Sequence, residues 1–197
     1  MLGAMRSQFD KAYYDRYYRN PETRAISPTA VGRQAEFISA YLKHLTIPVK
    51  RVLDLGCGVG NLLRALGKSF PAAELTGVEV SDYLCSHYGW TKASVVDYDG
   101  PEADLVVCND VLSYLSNRDC ERAIANIADK TISAAFLGIL TTEDLDLIDK
   151  ARTDPKQKTR GTTWYRNRLS AYFINVGGGL YLRKPLSVPV WTLDRVD

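Results

Sequence analysis

Apolar positions along this chain fall into two alternating rhythms, short unbroken runs and longer stripes at helical spacing. Val52, Leu53 and Leu55 make a run of the kind that forms a strand buried on both faces of a parallel sheet, and Leu62, Leu63, Leu66 and Phe70 then return at helical spacing. The alternation continues. ELTGVEV, reaching Glu79, reads as a second strand, Ser81 to Trp90 as a short helix and turn, Ala93 to Asp97 as a third strand and DLVVC over 104–108 as a fourth. A helix with Cys120, Ala123, Ile124 and Ile127 inward, capped by Ser116 or Asn117, precedes a fifth strand over Ala134 to Leu140. Upstream, Val31, Gln34, Ala35, Ile38, Tyr41, Leu42 and Leu45 form the inner stripe of a packing helix capped by Ser27 or Thr29. Downstream, Trp164, Tyr165, Leu169, Tyr172, Phe173 and Val176 predict an amphipathic helix ending at Gly177, Gly178 and Gly179, with GLYLRK and SVPVWTL as a closing pair of strands. Strands alternating with helices predict an α/β fold around a mostly parallel sheet.

The junction of the first strand and its helix, DLGCGVG over 54–60, is the stretch whose residue types ask for a ligand. In an open α/β sheet this crevice binds ligands, and glycines bring backbone groups close to one. The spacing discriminates between ligands. A dinucleotide loop wants G-x-G-x-x-G, but Asn61 stands at the third glycine position. Asp54 also opposes a pyrophosphate, at roughly 4 kcal/mol for like charges 4 Å apart at an effective dielectric of 20. A cationic or neutral ligand is favoured. Glu79, about twenty residues past the glycines, is placed to accept hydrogen bonds from ribose hydroxyls.

VLDLGCGVG resembles the first motif of the class I S-adenosylmethionine-dependent methyltransferases, small-molecule type. The resemblance implies a Rossmann-like seven-stranded mostly parallel sheet with helices on both faces and an N-terminal helical lid. It also implies S-adenosylmethionine as cofactor and S-adenosylhomocysteine as product. In the matching positions Asp54 approaches the methionine ammonium, Gly56, Cys57 and Gly58 supply backbone contacts, Glu79 with Val80 holds the ribose, and Asp97 with Tyr98 faces adenine. The fourth strand and NDVLSYL resemble the family's fourth motif, so Asn109, Asp110 and Val111 flank the reactive end, and Ser113 and Tyr114 line the acceptor side.

The tyrosines Tyr13, Tyr14, Tyr17 and Tyr18 cluster with Phe9 in the first twenty residues. Either the rings dock on the core, or residues 1–28 form a lid whose aromatic faces meet a sulfonium, with Tyr17 among the cofactor contacts. Methyl transfer from an activated sulfonium needs donor and acceptor held in line and dry, without a covalent enzyme intermediate. No G-x-S-x-G, HExxH or P-loop is present, and only two histidines. If the acceptor needs deprotonation, Asp110, Glu143 of the TTED segment, or Tyr14 are the candidate catalytic groups.

Composition narrows the class. At 197 residues and 46% apolar content, one domain over 1–197 is expected. No apolar run reaches 18 residues and the start lacks a signal-peptide core, so no membrane partner and a cytoplasmic location are expected. The four cysteines show no C-x-x-C spacing, and no metal is expected. A net charge of +2 is too near balance to imply nucleic acid, and by the resemblance N-D-V-L in place of N-P-P-Y at the fourth strand argues against the adenine- and glutamine-amide-methylating branches, so a small-molecule acceptor is expected. The basic stretch from Lys150 to Arg168 reads as a solvated mobile loop, or as a surface for an acidic carrier protein. Two other readings stay open: a methyltransferase-fold binding protein without turnover, and a nicotinamide-dependent oxidoreductase.

Overall fold

The structure is a computed structural model that describes residues 9–191. Seven strands form one sheet: β1 (Arg51–Leu55), β2 (Glu74–Glu79), β3 (Thr91–Lys92), β4 (Ala103–Asn109), β5 (Thr131–Gly138), β6 (Phe173–Gly177) and β7 (Leu180–Arg183). Their order is β3-β2-β1-β4-β5-β7-β6; β1 to β5 pair in parallel, and β7 runs antiparallel to both β5 and β6. The six helices are α1 (Lys11–Tyr14, continuing into a π-helical turn Asp15–Arg19), α2 (Pro28–His44), α3 (Asn61–Ser69), α4 (Asp82–Tyr88), α5 (Asn117–Lys130) and α6 (Thr162–Leu169).

Because side chains alternate along a strand, the parallel strands feed two cores at once. Val106 and Cys108 of β4 with Ala135 and Leu137 of β5 meet α5 and α6, while Leu105, Val107, Ala134 and Phe136 meet α2 and α3. Helices therefore cover both faces, as the sequence predicts. A third cluster joins Phe9 and Tyr14 of the N-terminal segment to Val59 and Leu84. Ser27, Ser81 and Ser116 cap α2, α4 and α5 through their side chains.

Several segments differ from the sequence reading. The third strand lies at Thr91–Lys92 and not at Ala93 to Asp97, where the backbone turns so that the Asp97 and Tyr98 N–H groups donate to the Ser94 carbonyl. The predicted helix through Val176 stops at Leu169, and Phe173–Gly177 is a strand. Gly177, Gly178 and Gly179, all at positive φ, are the turn of a hairpin and not a helix C-cap. Of the expected closing pair, GLYLRK is strand β7, while 187–191 carries no strand and Thr192 and Leu193 lie outside the described residues. The segment 151–162 is tied down: Asp154 and Arg160 are buried, and Arg160 bridges to Thr141.

Candidate functional site

Sheet order reverses direction between β1 and β4, which opens a crevice at the carboxyl ends of the parallel strands. A cavity of about 510 Å³ occupies it. Gly56 and Gly58 form its floor beside Glu79 and Val80, Asn109 to Val111 form one wall, and Asp97 lies in the turn at the far end. Phe9, Tyr13, Tyr14 and Tyr18 close it from the N-terminal side. Gly56 has φ +85°, and a Cβ there would sit 2.3 Å from a Val111 methyl, so the β1 turn can pass under Val111 only as glycine.

The loop is held from within. The Gly56 and Cys57 N–H groups donate to the Val78 carbonyl at 2.8 and 3.0 Å, and the Gly58 N–H donates to Glu79 Oε2 at 2.9 Å. Trp90 donates its indole N–H to the Gly58 carbonyl at 3.0 Å. The N–H groups of Gly56, Cys57 and Gly58 are thus engaged within the protein, while Gly56 and Gly58 keep their backbone on the cavity lining. Glu79 Oε1 accepts from the Val80 and Ser81 N–H groups at 2.7 and 3.0 Å. With three of about four acceptor positions filled, the carboxylate has room for one further donor. Burial pushes its pKa up, opposed by these N–H groups.

Asp54 is 3% exposed and lies beneath the loop, off the cavity lining. Burial first, then the charge of Glu79, pushes its carboxyl up to about 8. Asp110 sits on the cavity wall in the left-handed region, φ +57°, its N–H bonded to the Gly138 carbonyl at 2.9 Å. Asp110 is exposed on the cavity wall, and desolvation there pushes its carboxyl up to about 6. An acid with that value is largely ionised at pH 7 and can still take a proton, as a general base requires.

The other catalytic candidates fare differently. Tyr14 lines the cavity, and burial and then the charge of Glu79 raise its pKa. Glu143 is corrected: it lies outside the cavity, its two carboxylate oxygens accept from the Thr162 N–H at 3.1 and 3.0 Å, and backbone N–H groups hold it down at about 2. Tyr17 packs its ring 5.0 Å from that of Tyr13 and does not line the cavity. Tyr98 is buried in the core against Gly100 instead of facing the cavity. The Cys57 thiol likewise points to Gly77. Asp97 keeps its place on the lining, but its carboxylate receives Arg122 at 2.7 Å.

The N-terminal segment is fastened by polar contacts that the sequence reading missed. Ser81 donates its hydroxyl to the Phe9 carbonyl at 2.6 Å, Arg19 donates to Asp15 and to the Tyr83 and Tyr88 hydroxyls, and the Tyr13 and Tyr114 hydroxyls meet at 2.9 Å. The signal for Arg19 was present only as a cation among tyrosines. Of the basic stretch, Arg160 is buried, Arg168 pairs with Glu121, and Lys150 and Arg152 face Asp146 and Asp149. Among the described residues, Lys156, Lys158 and Arg166 lack a carboxylate partner, so the run is not a continuous basic surface. Also among the described residues, no helix is long and apolar enough to cross a membrane.

Residues 53–131 match the methyltransferase domain family. The chain is 27% identical over 124 residues to the cephaeline 6'-O-methyltransferase of Carapichea ipecacuanha, covering 59% of this chain and 35% of that one. It is 25% identical over 118 residues to the 3-O-methylredipecamine 2-O-methyltransferase of the same plant, covering 56% of this chain and 33% of that one, so it spans about a third of the length of these curated relatives. Among solved structures, the magnesium protoporphyrin IX methyltransferase of Synechocystis PCC 6803, with bound S-adenosylhomocysteine, superposes with a TM-score of 0.70. That match is 18% identical and covers 93% of this chain and 100% of that one. An S-adenosylmethionine-dependent methyltransferase of Clostridium acetobutylicum superposes with a TM-score of 0.61 at 13% identity, covering 87% and 95%. These likenesses bear out the resemblance and the predicted fold.

Proposed function

We infer that this chain, a class I S-adenosylmethionine-dependent methyltransferase by fold and by its matched domain, transfers the methyl group of S-adenosylmethionine to an oxygen, nitrogen or carbon nucleophile of a small molecule, releasing S-adenosylhomocysteine. The observation that carries this reading is the charge of the cavity. Asp110 and Glu79 line its glycine-loop end, and of the three cations on the lining, Lys92 and Arg122 are paired with Asp82 and Asp97, the third being Arg118. Such a pocket suits an ammonium and a sulfonium and disfavours a pyrophosphate.

Glu79 takes one ribose hydroxyl on its remaining acceptor position, Asn109 to Val111 flank the methyl group, and Asp110 accepts the acceptor's proton where one must leave. Of the expected lid over 1–28, residues 1–8 lie outside the described residues; residues 9–28 act as a lid on a single domain, excluding water with the rings of Tyr13, Tyr14 and Tyr18. All four cysteines are unbridged, which fits a reducing cytoplasm. Incubation with S-adenosylmethionine and a panel of phenols, amines and hydroxy acids is expected to accumulate S-adenosylhomocysteine with at least one acceptor. In calorimetry S-adenosylhomocysteine is expected to bind more tightly than NADH, and Glu79→Ala to weaken it by about 1–3 kcal/mol. Tighter NADH binding, or unchanged affinity in the variant, contradicts this reading.

A further inference from the structure

The N-terminal wall of the cavity holds a row of hydroxyls whose protons can be placed one by one. Tyr114, on the lining, has its hydroxyl 3.1 Å from Asp154 Oδ2, 2.9 Å from the Tyr13 hydroxyl and 3.4 Å from the Gln157 amide nitrogen. A phenol has one proton to give, and a carboxylate can only accept. Hydrogen bonds to an ionised acceptor are roughly twice as strong as neutral ones, so the Tyr114 proton goes to Asp154. The Tyr114 oxygen then receives the Gln157 amide on one side and the Tyr13 hydroxyl on the other. Tyr13 thereby commits its only proton to Tyr114.

Tyr13 also lines the cavity, and among the described residues no donor reaches its oxygen. Asp154 is buried off that lining, so the row runs outward from a carboxylate and ends at the cavity on an oxygen that can only accept. The arrangement is held in place. Phe9 sets its ring edge-on against both phenols, with centroids 5.0 Å from Tyr13 and 5.4 Å from Tyr114. The Lys156 N–H donates to Asp154 Oδ1 at 2.9 Å, and the Lys158 N–H donates to the Ser113 carbonyl at 2.7 Å, which keeps Asp154 beside Tyr114. Three segments far apart in the chain thus fix the polarity of one phenol.

We propose that Tyr13 selects the acceptor by receiving an O–H or N–H other than the one Asp110 deprotonates, so that the molecule methylated carries at least two hydrogen-bond donors. Tyr114 and Asp154 are positioning residues that fix which way the Tyr13 proton points. This deepens the methyl-transfer reading and rests on it. The protein, with and without saturating S-adenosylhomocysteine, is titrated with resorcinol and with 3-methoxyphenol, which share one hydroxyl and differ in whether the second oxygen carries a proton. The aromatic resonances of Tyr13 and Tyr114 are followed by NMR. Saturable shifts are expected, with resorcinol binding about tenfold more tightly, beyond the factor of about two that its equivalent hydroxyls give by statistics. Tyr13→Phe is expected to bring the ratio down to about twofold. Asp154→Asn is expected to invert it: the amide oxygen stays on the Lys156 N–H, the amide nitrogen donates to Tyr114, the Tyr114 proton turns to Tyr13, and the Tyr13 proton is released towards the ether oxygen. Absence of saturable shifts, a wild-type ratio near two, or a wild-type ratio that persists in either variant overturns the proposal. If Asp154→Asn does not fold, wild type and Tyr13→Phe decide. Failure of S-adenosylhomocysteine to bind while the ratios hold counts against the methyl-transfer reading alone.

Discussion

Gly138 ends β5 beside Asn109 of β4, and a Cβ added to it would stand 1.8 Å from Asn109 Oδ1. The glycine is a seat for the amide that walls the cavity. Gly138→Ala is expected to cost about 1–3 kcal/mol in urea unfolding through overpacking, and Asn109→Ala in the same chain to recover most of it, a non-additivity that a double-mutant cycle reads directly. The carboxylates give a second prediction at this scale. Asp54, held at about 8, keeps its proton across a range in which the unfolded chain has lost it. Its contribution to stability is therefore complete below about pH 4 and fades as pH rises towards 8. Asp54→Asn should flatten that decline by an amount on the order of a few kcal/mol. A cationic ligand pulls the same proton off, so S-adenosylmethionine binding at pH 7 should release protons, seen as a buffer-dependent calorimetric enthalpy, and release fewer in the variant. At this scale the sequence showed which groups were unusual, since Asp54, Glu79 and Asp110 stand at the ends of strand patterns, Asp54 beside the glycine loop. It did not show that Glu79 is already bound by three N–H groups, because those donors come from turns whose path depends on the whole sheet.

Among the elements, strands β1, β2, β4 and β5 were legible because strands covered by helices on both sides are apolar throughout. The stretch 164–176 misled for a physical reason: Trp164, Tyr165, Leu169, Tyr172 and Phe173 recur at helical intervals, although the helix ends at Leu169 and the last of them begins β6. The basic segment misled in another way. Arg160 is 8% exposed with no carboxylate partner among the described residues; carbonyls of Leu112, Leu115 and Lys158, the Asn117 amide oxygen and the Tyr165 hydroxyl accept its N–H groups. Five neutral acceptors, those of Leu112, Leu115 and Asn117 from distant positions, cannot be read from a run of cations. Arg160→Lys loses the planar fork that serves them and is expected to destabilise by about 2–4 kcal/mol in chemical unfolding. Arg19 fastens the N-terminal segment at the surface of the same site, so Arg19→Met should raise the S-adenosylhomocysteine dissociation rate about fivefold in stopped flow while the unfolding midpoint moves little.

For the molecule as a whole, the cavity draws its floor, walls and cover from segments spread between Phe9 and Arg122. A ligand held there is bound only by the folded chain, so S-adenosylhomocysteine at 100 times its dissociation constant should add about 2.7 kcal/mol to unfolding. Strand β7 has a different bearing. It runs antiparallel to both β5 and β6, and it covers the outer border of β5 from a position late in the chain. As the polypeptide leaves the ribosome, the five parallel strands and the entire donor pocket can assemble while that border is still bare, with Ala134, Ala135 and Phe136 offering unpaired amides to any neighbouring nascent chain. A stop codon near position 170 should therefore yield a protein that collapses and aggregates, although every residue named for the donor pocket has already been translated.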